Sequence, residues 1–113
     1  SQGYRDSAFV LSAHTALARL DLAAGRTDAA VARLRRALDG AQGEIDDTSP
    51  RGLDAKLWLA AAQRASRQCE AARVTLVAVE RLMAGLTLGE HPLLVAAARD
   101  SASVARNVCT AAS

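Results

Sequence analysis

Residues 17–38 read LARLDLAAGRTDAAVARLRRAL and decide the fold of this chain. Leucine, valine and alanine recur every three or four residues on both sides of Gly25, which is the spacing of amphipathic helices. Glycine readily adopts the left-handed conformation found at helix ends, so Gly25 predicts a stop. The stretch therefore predicts two helices and a tight turn. The first helix covers about residues 6–24, and the second runs from a cap at Thr27 or Asp28 to about residue 41.

The apolar positions predict which faces of these helices are buried. The stripe expected on the first helix is Phe9, Val10, Ala13, Leu17 and Leu20. The stripe expected on the second helix is Ala30, Val31, Leu34, Ala37 and Leu38. Alanine has the highest helix propensity, so both helices are also favoured locally.

The same pattern recurs after 42 residues, which indicates a repeat architecture. The aligned pairs are Leu17 with Leu59, Ala18 with Ala60, Ala30 with Ala72, and Leu34 with Leu76. The dipeptide Ser49-Pro50 aligns with His91-Pro92 and predicts an N-cap followed by proline at the first helical position. We expect five helices in one domain over residues 1–113. Its units are repeat one over 6–46, repeat two over 50–88 and a half repeat or closing helix over 92–111.

This pattern resembles tetratricopeptide (TPR) repeats, and more narrowly the kinesin-light-chain subtype with its 42-residue period. Residues 88–92 read Leu-Gly-Glu-His-Pro and resemble the Leu-Gly-x-x-His-Pro linker of that subtype with one residue fewer. The resemblance implies an all-α fold, a right-handed α-α superhelix of antiparallel helix pairs. The sequence departs from the family where large aromatic residues are expected in the first helix of each unit. Those positions are His14, Lys56 and Ala98, and then Asp21, Gln63 and Ala105.

Composition excludes several classes of function. A formal net charge of +2 lacks the strong basic stripe of nucleic-acid binders. No apolar run approaches the ~20 residues of a membrane helix, so no membrane insertion is expected of this fragment. We find no catalytic constellation, no metal-ligand spacing and no cofactor motif, and we expect a non-enzymatic domain. The start at Ser1 favours a fragment excised from a larger protein, and the predominance of Arg over Lys indicates a bacterial source.

Two cysteines, Cys69 and Cys109, fall at the same pole of the expected stack. Repeat geometry places Cys69 at the start of a second helix and Cys109 near the end of the closing helix. Two interpretations stay open: a disulfide that implies an extracytoplasmic or periplasmic location, and a pair of half-buried thiols that suits the cytoplasm.

In TPR-like arrays the first helix of each pair lines a concave groove for a peptide or partner protein. By register, the resemblance implies a groove with positive charge and a suitably acidic partner. The groove residues are Arg19, Arg64, Arg99, Arg106, Thr15 and Asp54. Trp58 is expected to pack at the interface between repeats. The resemblance also implies the sensor or regulatory part of a bacterial signalling protein, such as a serine/threonine kinase. The alternative is a self-association module that forms a homo-oligomer.

Overall fold

The computed structural model describes residues 2–46 and 49–84, with side chains from residue 8 onward. This part of the chain forms four helices: α1 (Gln2–Ala23), α2 (Thr27–Ala41), α3 (Pro50–Ala65) and α4 (Cys69–Ala84). It contains no β-strand, and the all-α prediction is confirmed for it. The fifth helix expected over 92–111 lies outside the described residues. The superhelical arrangement stays a prediction.

The predicted helix start is right at α3 and wrong at α1 and α2, whereas α1 and α2 end close to the predicted residues 24 and 41. Ser49 caps α3 as expected, and its hydroxyl accepts a hydrogen bond from the Gly52 amide at 3.1 Å. The N-cap of α2 is Arg26 instead of Thr27 or Asp28, and its side chain makes no capping bond. The helix α1 begins at Gln2, upstream of the expected start, because residues 2–5 contain no proline to stop it.

The two tight turns have the same main-chain structure. In the first turn, the amides of Ala24, Gly25, Arg26 and Ala30 donate to the carbonyls of Leu20, Leu22, Asp21 and Arg26. In the second, the amides of Ser66, Arg67, Gln68 and Ala72 donate to the carbonyls of Ala62, Arg64, Gln63 and Gln68. Each bond of the second set lies 42 positions after its counterpart. The left-handed residue also recurs, with φ of 81° at Gly25 and 63° at Arg67.

The helices pack as two hairpins, with α3 seated on the first one. The helix α1 contacts α2, α3 contacts α4, and α3 also contacts both α1 and α2. Between α1 and α2 the buried side chains include Leu11, Ala18 and Leu34, each at most 1% exposed. Their counterparts in the second hairpin are Leu53, Ala60 and Leu76, which are also buried. The hairpins therefore share one internal burial pattern.

The predicted stripe of α1 is wrong, whereas that of α2 is confirmed. Phe9, Val10, Leu17 and Leu20 are 43–72% exposed, and the buried face of α1 is Ala8, Leu11, Thr15 and Ala18. A helix with apolar residues on two sides gives two candidate stripes, and periodicity alone does not tell which one faces α2. In α2, Ala30, Val31, Leu34 and Ala37 are buried and Leu38 packs against them.

Gly25 and Arg67 occupy equivalent left-handed positions, so substitutions at the two sites should change the free energy of unfolding in opposite directions. A side chain at this φ costs about 1–2 kcal/mol, partly offset by the greater freedom of glycine in the unfolded chain. We therefore expect Arg67→Gly to raise the free energy of unfolding by up to about 1 kcal/mol, and Gly25→Ala to lower it by about 1 kcal/mol. Equilibrium urea unfolding measures both changes.

Gly40→Ala is the matched control, because Gly40 lies within α2 and an added Cβ there meets nothing within 4 Å. An added Cβ at Gly25 also meets nothing within 4 Å, so the two glycines differ only in backbone conformation. Gly40→Ala should stabilise the protein by about 0.5–1 kcal/mol. Equal effects of Gly25→Ala and Gly40→Ala would contradict this account of the turn.

Candidate protein-interaction site

Three side chains meet where α1 lies beside α3. The guanidinium carbon of Arg19 lies 4.7 Å from the ring centroid of Trp58, within the range of a cation–π contact. Trp58 is partly buried and packs against the main core, which holds its ring in place. Its packing role at the junction of the two hairpins agrees with the sequence-based expectation. We call the surface formed by Arg19, Asp54 and Trp58 the α1–α3 face.

Asp54 adds a carboxylate to this surface. It lies one helical turn before Trp58, on the same side of α3. Loss of solvent contact is the largest influence and raises the pKa of Asp54, whereas the Arg19 charge and the Trp58 side chain act in the opposite direction. The net direction is upward. The α1–α3 face thus combines a cation, an aromatic ring and an acid.

An open apolar depression adjoins the Arg19 and Trp58 side chains. The other residues that line it are Ala16, Leu20, Leu22 and Ala23 from α1. Leu20 is 63% exposed, so apolar surface is available to a partner here. A charged donor beside an apolar hollow suits a peptide that carries an acidic group next to an aliphatic side chain.

The structure brings some of the predicted groove residues together and separates others. Arg19 and Asp54 are neighbours, and Arg64 is half-buried near the end of α3. Ten residues along a helix span about 15 Å, so Arg64 lies well away from Asp54. Thr15 is only 6% exposed, and its hydroxyl donates to the Leu11 carbonyl at 2.8 Å, so it offers little to a partner. Arg99 and Arg106 lie outside the described residues.

The contact between Arg19 and Trp58 was missed by sequence reasoning, although the sequence contains a signal for it. Trp58 follows Arg19 by 39 residues, which is three fewer than one 42-residue period. In two parallel, adjacent helices of a repeat, that interval places the two side chains at neighbouring levels. An arginine and a tryptophan at this interval in a repeat chain are therefore a candidate stacked pair on sequence grounds.

Each hairpin also contains a polar link between its two helices. In the first, Asp21 is 6% exposed and accepts hydrogen bonds from Arg26 at 3.1 Å and Arg33 at 3.2 Å. In the second, the amide of Gln63 and the hydroxyl of Thr75 are hydrogen-bonded at 2.7 Å. Gln63 and Thr75 stand 42 positions after Asp21 and Arg33. Asp21 and Gln63 stand at the positions where the family resemblance leads one to expect an aromatic residue.

The remaining expectations concern metal binding, membrane insertion and the two cysteines. No group of three or more metal-ligating side chains occurs among residues 2–46 and 49–84. None of the four helices is long and apolar enough to span a bilayer. Cys69 begins α4, and Cys109 lies outside the described residues.

Searches against protein families, curated proteins and solved structures found no match to this chain.

The link at Asp21 makes the stability of the first hairpin depend on pH. Burial alone would raise the pKa of Asp21, but the hydrogen bonds and charges of Arg33 and Arg26 outweigh it and lower the pKa below its usual 3.8. The link therefore stabilises the folded chain above about pH 4, and this contribution disappears as the pH falls through the lowered pKa.

We expect Asp21→Asn to be less stable than the parent at pH 7, and the two proteins to converge as the pH falls below about 4. Thermal unfolding followed by circular dichroism from about pH 7 to about pH 2.5 measures the difference. Glu70→Gln removes an exposed acid from a surface ion pair with Arg73 and serves as the control. A constant difference between parent and Asp21→Asn over the whole range would contradict the assignment.

Proposed function

We propose that this chain is a non-catalytic, TPR-like domain that binds a peptide or partner protein. The support comes from the equivalence of its two hairpins. Four turn hydrogen bonds, the left-handed residue, the buried leucines and the polar link all recur at the same offset. Stacked units of this kind form continuous surfaces that suit the recognition of extended partners.

The binding surface of this proposal is the α1–α3 face. Its central observation is the position of the Arg19 guanidinium over the Trp58 ring. A guanidinium held over an aromatic ring still presents N–H groups along its edge, and these can bind a carboxylate in a bidentate manner. An acidic side chain or a C-terminal carboxylate is the matching group, and the depression beside Leu20 accepts an adjacent aliphatic residue.

The same proposal extends to the parent protein as the family resemblance suggested. A bacterial signalling protein, such as a serine/threonine kinase with a sensor or regulatory part, would use this domain to detect a partner. This placement rests on the resemblance and on the Cys69–Cys109 bond proposed below. Self-association is the alternative function, and the exposed apolar residues of α1 are the observation that favours it.

Selection from a displayed random-peptide library tests the binding proposal. We expect enrichment of peptides that carry an acidic residue or free C-terminus beside an aliphatic one. For a selected peptide, Arg19→Glu should weaken binding at least about tenfold in fluorescence anisotropy, because it replaces a charge-assisted hydrogen bond by repulsion. Trp58→Ala should act in the same direction by releasing Arg19 from the ring.

Arg73→Glu is the matched control, since Arg73 is an exposed arginine on α4, away from the α1–α3 face. It should leave peptide affinity within about twofold, as expected of a distant surface charge. Equal losses for Arg19→Glu and Arg73→Glu would indicate attraction by net charge alone and overturn the assigned site. The absence of any enriched acidic motif would overturn the partner class.

We further propose a disulfide between Cys69 and Cys109. Its support is that the described part of the chain contains no free thiol, and that repeat geometry predicts both cysteines at one pole. The bond would join the closing helix to the start of α4 and imply an oxidising compartment. Alkylation of unfolded, unreduced protein followed by intact mass spectrometry should add no label, and prior reduction should add two. Two labels without reduction would exclude the bond.

A further inference from the structure

The helix α3 is attached to the first hairpin by one row of small and aliphatic side chains. The row consists of Gly52, Ala55, Leu59 and Ala62, all of which are buried. Ala55, Leu59 and Ala62 belong to the same hydrophobic cluster as the α1 and α2 core. Gly52 lines a small hollow together with Leu38, Ala41 and Ile45, which belong to α2 and the segment that follows it.

The equivalent row on α1 is exposed to solvent. Counting back 42 positions gives Val10, Ala13, Leu17 and Leu20, which we call the α1 stripe. Val10, Leu17 and Leu20 are 47%, 43% and 63% exposed, whereas their counterparts on α3 are buried. The α1 stripe is also more apolar than the α3 row, because valine and leucine replace glycine and alanine. An outermost helix of a repeat stack normally has a polar outer face instead.

His14 lies beside the α1 stripe, and its side chain is partly accessible to solvent. The counterpart of His14 on α3 is Lys56, which lines a hollow together with Asp39 and Asp46 of the preceding hairpin. A hairpin placed before α1 in the same way would bring equivalent acidic or polar groups toward His14.

We propose that the α1 stripe is a stacking face that receives a further α-hairpin in the position preceding α1. The complementary surface of that hairpin has the chemistry of the α1–α2 surface that seats α3: leucine, isoleucine and alanine side chains at the centre, with carboxylates at one end. This inference does not depend on peptide binding at the α1–α3 face. Leu20 belongs both to the α1 stripe and to the depression of that face, so a hairpin seated on the stripe would cover Leu20 and leave Arg19 and Trp58 to the peptide.

A tandem duplication tests the proposal with a hairpin of that chemistry. In the extended chain, one additional copy of residues 8–49, which is one period, is inserted directly before Ala8. The native α1 then follows a hairpin as α3 does. We expect a single cooperative thermal transition with a midpoint at least about 5 °C above that of the parent chain, because a new interface between neighbouring units is formed.

Val10→Glu with Leu17→Glu in the native α1 should abolish this gain in the extended chain. In the parent chain the same pair should shift the midpoint little, because both side chains are exposed there. Val74→Glu with Val77→Glu is the matched control, since these exposed valines of α4 lie outside the α1 stripe. The control pair should leave the gain in place.

Three results would overturn the proposal. The first is separate unfolding of the added hairpin, or a midpoint equal to that of the parent. The second is an equal loss of the gain with the control pair. The third is concentration-dependent dimerisation of the parent chain in analytical ultracentrifugation that Val10→Glu with Leu17→Glu removes, which would assign the α1 stripe to a second copy of the chain. Loss of peptide binding after Arg19→Glu tests only the peptide-binding proposal and does not affect the stacking proposal.

Discussion

Close packing of α3 against two earlier helices holds this structure together. Ala55 and Ala62 are completely buried where α3 meets the first hairpin, and Ala18 is completely buried within that hairpin. Small side chains allow helix axes to approach at the short end of the usual range of about 8–10 Å. Because α3 also pairs with α4, this one junction fixes the position of the second hairpin and creates the α1–α3 face. The contact between Arg19 and Trp58 exists only because the junction brings α1 and α3 side by side.

Much of this architecture could be predicted from the sequence, and the reasons are local. The positions of Gly25, Ser49 and Pro50 mark a helix stop and a helix start through backbone and capping chemistry that acts within a few residues. The stripe of α2 was predictable because α2 has one apolar side. The stripe of α1 was not predictable, because α1 has two apolar rows. One row faces α2, and the other is equivalent to the row of α3 that packs on the first hairpin. Only packing distinguishes two apolar rows on one helix.

The candidate site was less predictable, since it depends on contacts between helices. Register transfer placed Arg19 and Asp54 on one surface but also included Thr15, whose hydroxyl bonds to its own helix. Register gives the side of a helix and does not give the partner of each side chain. The same limitation applies to Asp21 and Gln63, which the sequence alone presents only as departures from a family pattern. Their cross-helix partners, Arg33 and Thr75, stand 12 residues away in both cases and form no recognisable motif.

The two polar links differ in charge, and this difference affects which helices pair with one another. Hairpins with one shared burial pattern risk exchanging helices, so that α1 would pair with α4 and α3 with α2. Such an exchange would place Asp21 opposite Thr75 and remove Arg33, one of its two arginine partners, while Arg33 would face the neutral Gln63. Removing a partner from a poorly solvated charge is costly. The ion pair in one hairpin and the neutral pair in the other therefore favour the correct pairing of helices in two units that share a burial pattern.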